Sequence, residues 1–212
     1  MTPLEGPPAE AAAAARRGEL IVVPTDTVYG LGSRPDDHAA THRLFDAKRR
    51  PRELELPVLV ADRATGRAVA VFDERAERLV EACWPGPLTL VLPRGADADG
   101  WDLGGDPATV GVRAPAHPLA LAVLMETGPL AVTSANVSGE PTPATCDELH
   151  AMFGDLVSVY LCDPEPLEAS PSTVLDLAHG AAHVLREGGV TFETLAELLP
   201  GEPSLLDSRP SS

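Results

Sequence analysis

Short apolar runs alternate with helical patterns along most of the chain. The first run, residues 20–23, is continuous and rich in β-branched side chains, which predicts a short strand buried on both faces. Similar runs predict further strands at 57–60, 88–92, 109–113, 130–133, 157–161, 172–177 and 183–186. Helices are predicted at 9–17, 36–50, 73–83, 117–127, 147–153 and 192–199. This alternation predicts an α/β fold with a twisted, mostly parallel or mixed open sheet, flanking helices and a central cleft.

A polar loop follows the first predicted strand. It reads Pro-Thr-Asp-Thr-Val-Tyr-Gly-Leu-Gly over residues 24–32 and brings hydroxyls together with one carboxylate. Gly30 and Gly32 permit positive φ or a close approach of the backbone to a ligand. Open α/β sheets bind ligands in polar loops at the carboxyl ends of their strands. The alternative is a tight turn whose Thr and Asp side chains satisfy local backbone amides.

Composition limits the classes of protein that the chain can represent. A length of 212 residues suits one domain, predicted at 9–199 between a flexible lead-in, 1–8, and a flexible tail, 200–212. The net charge of −16 argues against stable, autonomous binding of nucleic acid. Three cysteines without metal-type spacing indicate reduced thiols in a cytoplasmic protein. No apolar window reaches the length of about 18 residues that a membrane span requires.

Motifs for covalent catalysis, for a P-loop and for a metal site are missing. No pattern pairs a serine or cysteine with a histidine, and Gly-x-x-x-x-Gly-Lys does not occur. His38 and His42 lie four residues apart without a third ligand nearby, so we interpret them as a solvated helix face. The loops instead offer Thr, Ser, Asn, Lys and Arg, a set that suits the binding of phosphates.

Six segments occur in an order that resembles a known family. They are the 24–32 loop, Lys-Arg-Arg-Pro at 48–51, Trp-Pro-Gly-Pro-Leu-Thr at 84–89, Gly-Val-Arg-Ala-Pro at 111–115, Thr-Ser-Ala-Asn-Val-Ser-Gly at 133–139, and Pro-Ser-Thr-Val at 171–174 followed by Leu-Arg at 185–186. Together they resemble the YrdC-like family, the threonylcarbamoyl-adenylate synthases, in its short single-domain form.

The resemblance implies a reaction and its partners. Enzymes of this family combine L-threonine, bicarbonate or CO₂, and ATP with Mg²⁺, and they release threonylcarbamoyl-AMP and pyrophosphate as nucleotidyltransferases. The product serves the threonylcarbamoyladenosine modification of tRNA next to the anticodon. The resemblance also implies a separate downstream tRNA threonylcarbamoyl transferase, and the acidic composition predicts weak or no direct tRNA binding.

The resemblance further implies roles for individual residues. The nucleotide-binding positions, of which the first two are also catalytic, are Lys48, Arg50, Thr109, Ser134, Asn136, Thr142 and Arg186. The threonine-binding positions are Thr27, Arg113, Val132 through its backbone, and Ser172, and no residue is a metal ligand because Mg²⁺ is expected on the ATP phosphates.

Each of these positions also has a structural interpretation. The basic run 48–50 suits a helix end, Arg113 could pair with a surface carboxylate, and Ser134 and Asn136 could only turn the chain. Asp26 could act as a base on the carbamate, but we favour a role in capping its own loop.

Two departures from the family pattern leave a second hypothesis open. Leu54-Glu55-Leu56 stands where the family typically has Asn-Pro-Leu, which removes a polar nucleotide contact and adds a carboxylate near the expected phosphates. Leu59 stands where some members carry a histidine. The alternative is therefore a diverged paralogue that binds RNA or catalyses another carbamoyl-adenylate reaction.

Overall fold

A ten-stranded open sheet runs through the described part of the chain, residues 4–5, 7–167 and 170–202 of the computed structural model. Its strands, in chain order, are β1 Leu4–Glu5, β2 Ile21–Val23, β3 Gly30–Ser33, β4 Val58–Leu59, β5 Leu88–Pro93, β6 Thr109–Arg113, β7 Leu130–Ser134, β8 Val159–Tyr160, β9 Thr173–Asp176 and β10 His183–Arg186. Their order across the sheet is β1-β8-β2-β3-β7-β4-β6-β5-β9-β10. Five pairings are antiparallel and four are parallel, which confirms the predicted α/β class with a mixed open sheet.

Seven α-helices flank the sheet within the described residues. They are α1 Pro8–Arg16, α2 His38–Lys48, α3 Arg63–Val69, α4 Glu74–Cys83, α5 Pro118–Thr127, α6 Cys146–Phe153 and α7 Phe192–Leu198. Aspartates at 37, 62 and 73 cap α2, α3 and α4, because their side chains accept hydrogen bonds from backbone amides of the first turn. The short helix α3 was not predicted from the sequence.

The two faces of the sheet carry separate hydrophobic clusters. The larger cluster includes Val22, Leu31, Leu90 and Val112, and it continues into α2, α4 and α7. The smaller cluster joins α1 and α5 to β2, β4 and β7, and it includes Leu59 and Val132. These two residues also line a cavity that continues on this same face toward β6, β5 and β9.

The polar loop after β2 is shorter than predicted, because Gly30 and Gly32 belong to β3. This strand forms a hairpin with β2 and pairs with β7 on its other side. A Cβ atom on Gly30 would lie 2.4 Å from a methyl carbon of Val132, and one on Gly32 would lie 2.9 Å from the other. The glycines therefore make room for a neighbouring strand.

Two of the three cysteines form a disulfide. It joins Cys146, the first residue of α6, to Cys162, which follows β8, with a Cα–Cα distance of 5.9 Å. The prediction of reduced thiols is therefore wrong for this pair, because the chain returns through α6 and β8 to bring together two residues that are 16 apart. Cys83 is a free, half-buried thiol.

The predicted chain ends are described only in part. Within the predicted lead-in, Leu4–Glu5 pairs with β8 and Pro8 begins α1. Residues 203–212 of the predicted tail lie outside the described residues, whereas Glu202 contacts Arg75 at 3.2 Å. None of the helices described is long and apolar enough to cross a membrane.

Candidate active site

A cavity of 330 Å³ opens on the sheet face that α1 and α5 cover in part. The 24–29 loop, the segment before β4, and strands β5, β6, β7 and β9 all contribute to its lining. The predicted site residues that line it are Thr27, Arg50, Arg113, Val132, Ser134, Ser172 and Arg186. These residues come from distant parts of the sequence, so the fold assembles them.

Arg113 is held at one end of this cavity by three hydrogen bonds. Its Nε donates to the carbonyl oxygen of Gly86 at 2.9 Å, Nη1 donates to Thr27 Oγ1 at 2.9 Å, and Nη2 donates to Asp26 Oδ1 at 2.7 Å. Burial lowers the pKa of Arg113 and the nearby Asp26 carboxylate opposes that shift, so the guanidinium stays charged. Because a guanidinium has five N–H donors, one remains on each terminal nitrogen.

Asp26 connects two loops. Its Oδ1 also accepts a hydrogen bond from the Ala116 amide at 2.8 Å, so our interpretation of Asp26 as a cap of its own loop is wrong. The loop's internal hydrogen bonds come from Thr25 instead. The second carboxylate oxygen, Oδ2, is buried and has no hydrogen-bond partner among the described residues.

Two threonine hydroxyls share a defined chain of hydrogen bonds. Thr25 Oγ1 donates to the carbonyl oxygen of Val28 at 2.6 Å and lies 2.9 Å from Thr27 Oγ1. The single hydroxyl proton of Thr27 is therefore directed to Thr25, and the Thr27 oxygen accepts from Arg113. One lone pair of that oxygen remains to accept a hydrogen bond from a ligand.

Arg50 and Arg186 add positive charge to the cavity. Arg50 donates to the carbonyl oxygens of Leu54 at 3.1 Å and Glu55 at 2.9 Å. Arg186 donates to the carbonyl oxygen of Ser172 at 3.0 Å and to Ser172 Oγ at 3.1 Å. Burial, reinforced by the charge of Arg186, lowers the pKa of Arg50. Both guanidiniums stay charged and together favour a polyanionic ligand.

Lys48 faces away from the cavity. Helix α2 ends at Lys48, because the next residue, Arg49, has a left-handed backbone with φ 48°. The side chains of Lys48 and Arg50 therefore point in different directions. Lys48 is 1% exposed, and its ammonium group donates to the carbonyl oxygens of Ser134 and Asn136, and to Asn136 Oδ1 at 3.2 Å. Burial lowers the pKa of Lys48 to about 7, with a further contribution from Arg50. Lys48 therefore supports the loop that forms one cavity wall.

The Ser134–Asn136 segment is stabilised by its own hydrogen bonds. Ser134 Oγ donates to Asn136 Oδ1 at 2.6 Å, and Asn136 Nδ2 donates to the carbonyl oxygens of Val137 at 3.0 Å and Glu140 at 2.7 Å. Ser134 lines the cavity, whereas Asn136 does not. Both the oxygen and the nitrogen of the Asn136 side-chain amide are therefore engaged in hydrogen bonds within the protein.

Glu55 is an acidic residue that also lines the cavity. Burial, with a smaller contribution from the charges of Asp106 and Asp176, outweighs Arg94 and a hydrogen bond from the Gly111 backbone and raises its pKa to about 7. A carboxyl group with this pKa is partly protonated near neutral pH.

Comparison with known proteins decides the family. The family model described as "Telomere recombination", Sua5_yciO_yrdC, matches residues 13–188. The chain belongs to the Sua5/YciO/YrdC family. This membership confirms the resemblance to YrdC-like proteins that the six sequence segments indicate.

Related proteins and solved structures align with most of this chain. A putative threonylcarbamoyl-AMP synthase of Mycobacterium leprae is 41% identical over 199 residues, which cover 93% of this chain and 90% of the relative. The threonylcarbamoyl-AMP synthase of Bacillus subtilis is 37% identical over 198 residues, which cover 90% of this chain and 56% of the relative. The structure of P. abyssi Sua5 complexed with L-threonine matches with a TM-score of 0.85 at 36% identity. This match covers 92% of this chain and 57% of the Sua5 chain. E. coli YciO matches with a TM-score of 0.82 at 27% identity, and this match covers 89% of this chain and 92% of the YciO chain.

Four of the expected positions of this Sua5/YciO/YrdC protein lie outside the cavity lining. They are Lys48, Thr109, Asn136 and Thr142. Thr109 lies on β6 two residues before Gly111, and its hydroxyl donates to the carbonyl oxygen of Asp106 at 3.3 Å. Thr142 lies in the segment between β7 and α6 and is half-buried. Their roles toward a nucleotide stay predictions.

Thr25 and Thr89 line the cavity without having been predicted there. Thr89 interrupts the apolar run of β5, and its hydroxyl lies 2.9 Å from Ser172 Oγ. A single polar residue in a buried strand is the signal that could have identified Thr89. Thr25 stood within the polar loop, but only the hydrogen-bond chain through Thr27 distinguishes it from a turn residue.

Proposed function

We propose that this chain is an ATP-dependent threonylcarbamoyl-AMP synthase of the nucleotidyltransferase type. The reaction combines L-threonine, bicarbonate or CO₂, and ATP, and it yields threonylcarbamoyl-AMP and pyrophosphate. The observation that carries the proposal is one cavity in which Arg113 offers two unused donors at one end and Arg50 and Arg186 add further positive charge. The relatives named threonylcarbamoyl-AMP synthase support the same reaction.

L-Threonine would bind at the Arg113 end. Its carboxylate would accept the two remaining guanidinium donors, a geometry that suits planar, bidentate recognition. The free lone pair on Thr27 would accept from the substrate's amine or hydroxyl, and Ser172, directly before β9, lines the same cavity. The solved P. abyssi Sua5 complex contains L-threonine, which supports an amino acid of this kind as ligand.

The polyphosphate of ATP would lie against Arg50 and Arg186. Mg²⁺ would enter with ATP and be held mainly by its phosphates, since Mg²⁺ commonly combines substrate phosphates with one or two protein carboxylates. No group of three His, Cys, Asp or Glu side chains in the described residues could hold a metal by itself.

The chemistry requires two bond-forming steps. The nitrogen lone pair of threonine attacks the carbon of CO₂ and the nitrogen loses a proton, which gives a carbamate. A carbamate oxygen then attacks the α-phosphorus of ATP, and pyrophosphate leaves with the electron pair of the broken P–O bond. Both partners in the second step are anionic, so the protein contributes mainly alignment and charge neutralisation through its three cavity arginines.

The product would serve the threonylcarbamoyladenosine modification of tRNA. A mixed anhydride of this kind is a reactive acyl donor, so a separate tRNA threonylcarbamoyl transferase would consume it. The net charge of −16 opposes tight binding of tRNA by this chain itself.

Pyrophosphate release tests the proposal directly. Release from ATP with Mg²⁺ and bicarbonate is measured with and without L-threonine, for the wild type, Arg113→Ala and the matched control Arg63→Ala. Arg63 is exposed on α3, away from the cavity. We expect threonine-dependent release that Arg113→Ala lowers by about a hundredfold or more in kcat/KM for threonine, since two charge-assisted hydrogen bonds are lost. Well-folded wild type without threonine-dependent release would refute the proposed function.

A further inference from the structure

Four consecutive strands of the sheet each bring one polar side chain to the cavity. In sheet order these side chains are Arg113 on β6, Thr89 on β5, Ser172 directly before β9, and Arg186 on β10. Neighbouring strands of a sheet lie about 4.8 Å apart. Thr89 and Ser172 therefore lie between the two strands that carry the arginines.

The alternation of side chains along β5 directs Thr89 toward the cavity. Successive side chains of a strand point to opposite faces of the sheet. Leu88 and Leu90, on either side of Thr89, belong to the larger hydrophobic cluster on the other face. A Cβ atom on Gly111, which lines the cavity, would lie 3.8 Å from the methyl carbon of Thr89. The Thr89 side chain is therefore on the cavity face.

The hydroxyl groups of Thr89 and Ser172 share one hydrogen bond and keep one proton free. Their oxygens lie 2.9 Å apart, and either can be the donor. Ser172 Oγ also accepts from Arg186 Nη2 at 3.1 Å, whereas Thr89 Oγ1 has no further partner among the described residues. Each hydroxyl carries one proton, and the shared bond uses one of the two. Whichever residue donates, the proton of the other remains available to a ligand.

Arg186 brings positive charge to this hydroxyl pair. Its guanidinium is fixed by Ser172, since Nε donates to the Ser172 carbonyl oxygen at 3.0 Å and Nη2 donates to Oγ. Burial is the main cause of the lowered pKa of Arg113 and of Arg50, and the charge of Arg186 adds to both shifts. Arg186 therefore acts on both ends of the cavity. A hydroxyl donor beside a fixed cation suits an anionic oxygen acceptor.

One reacting group would lie between the two ends of the cavity. With threonine at Arg113 and the phosphates at Arg50 and Arg186, the carboxyl group that enters from bicarbonate or CO₂ joins the two substrates. One of its oxygens attacks the α-phosphorus, and the other keeps its lone pairs and accepts hydrogen bonds. We infer that the hydroxyl pair of Thr89 and Ser172 binds this second oxygen of the carbamate, an inference that rests on the proposed function.

Thr89→Val tests this role, because valine keeps the shape of threonine and lacks the hydroxyl. The change removes either the free proton or the hydrogen bond that directs it. Pyrophosphate release is measured against bicarbonate concentration in CO₂-depleted buffer, with saturating L-threonine and ATP with Mg²⁺. We expect the KM for bicarbonate to rise about tenfold, as for the loss of one hydrogen bond to an anionic group. Thr89→Ala, which removes the same hydroxyl without filling its place, should give the same rise.

Two control variants and a binding measurement separate this role from a structural one. Thr89→Ser retains the hydroxyl on a freer side chain, so its KM for bicarbonate should stay within about threefold of the wild type. Thr41→Val makes the same change at a buried threonine of α2 outside the cavity lining and should leave all KM values unchanged. Calorimetric titration with L-threonine alone should give all variants affinities within about twofold of the wild type, because the Arg113 end is intact.

The outcomes separate the inference from the proposed function. A higher KM for bicarbonate in Thr89→Val that Thr89→Ser restores, with threonine affinity unchanged, supports the inference. An unchanged KM for bicarbonate, or an equal rise for bicarbonate, threonine and ATP, overturns the inference while the synthase activity stands. A rise confined to the KM for ATP also overturns it and would assign the pair to a phosphate oxygen. Wild type without threonine-dependent pyrophosphate release overturns both.

Discussion

At the scale of single residues, sequence patterns predict which side chains matter better than they predict what those side chains contact. Arg113 and Thr27 were expected beside an amino acid, and both line the cavity. Lys48 was expected beside phosphates, yet its ammonium is buried against the backbone of the Ser134–Asn136 segment. The difference follows from one left-handed residue, Arg49, because a φ of 48° at a non-glycine position cannot be inferred from the residues around it.

The titration of Lys48 is a direct test of this placement. Lys48 is the only lysine in the chain, so selective ¹³C labelling of lysine gives a single side-chain signal in nuclear magnetic resonance spectra. Because burial lowers its pKa to about 7, we expect a midpoint near that value for the folded protein, against about 10.4 in an unfolded chain. Between these values the unfolded chain binds more protons, so this group makes the free energy of unfolding rise with pH.

The control for this titration is the same labelled protein in denaturant, which should titrate near the ordinary lysine value. A folded-state midpoint that also lies near 10.4 would show that the three oxygen acceptors hold the proton on Lys48 more strongly than burial removes it.

At the scale of elements, apolar periodicity located most strands and helices to within two residues. It missed β3, because Gly30 and Gly32 have low strand propensity and only the packing of Val132 explains them. It also missed α3, which is a short helix with few apolar positions. Cavity residues such as Thr25 and Thr89 could not be assigned, since the pairing order of the strands that brings them together depends on contacts distant in sequence.

The close packing of β3 against β7 predicts the effect of a single methyl group. Gly30→Ala places a Cβ atom 2.4 Å from Val132 Cγ1, so we expect a loss of roughly 1–3 kcal/mol in the free energy of unfolding. Urea denaturation measures this loss. In the double variant with Val132→Ala the obstructing methyl is removed, so the cost of the two changes should be smaller than the sum of the single costs. Strict additivity would show that the two positions do not contact each other.

At the scale of the whole molecule, a disulfide links two segments of the chain in addition to the contacts made by the sheet. The disulfide between Cys146 and Cys162 closes a segment that contains α6 and β8. Cysteine count and spacing gave no indication of it, because three thiols allow several pairings and only the fold brings these two within reach.

Removal of this cross-link should lower stability by a predictable amount. A loop of about 15 residues corresponds to roughly 3 kcal/mol of stabilisation in the chain-entropy account. We expect Cys162→Ser to unfold at correspondingly lower urea concentration than the wild type under oxidising conditions, and the two proteins to converge once a reductant is added. Cys83→Ser, which leaves the cross-link intact, is the control. Coincident curves for Cys162→Ser and wild type without reductant would contradict the disulfide.

The hydrogen bonds of Arg113 also determine at which stage its side chain loses conformational entropy. A free arginine side chain carries about 2 kcal/mol of rotamer entropy. Here three contacts, to Gly86, Thr27 and Asp26, remove that freedom as the chain folds. Under the proposed function, the guanidinium would therefore meet the carboxylate of threonine already oriented, and the entropic cost of ordering it is part of the stability of the protein instead of part of the binding equilibrium. Selectivity at this end of the cavity would then depend on the shape of the incoming molecule more than on movement of the protein.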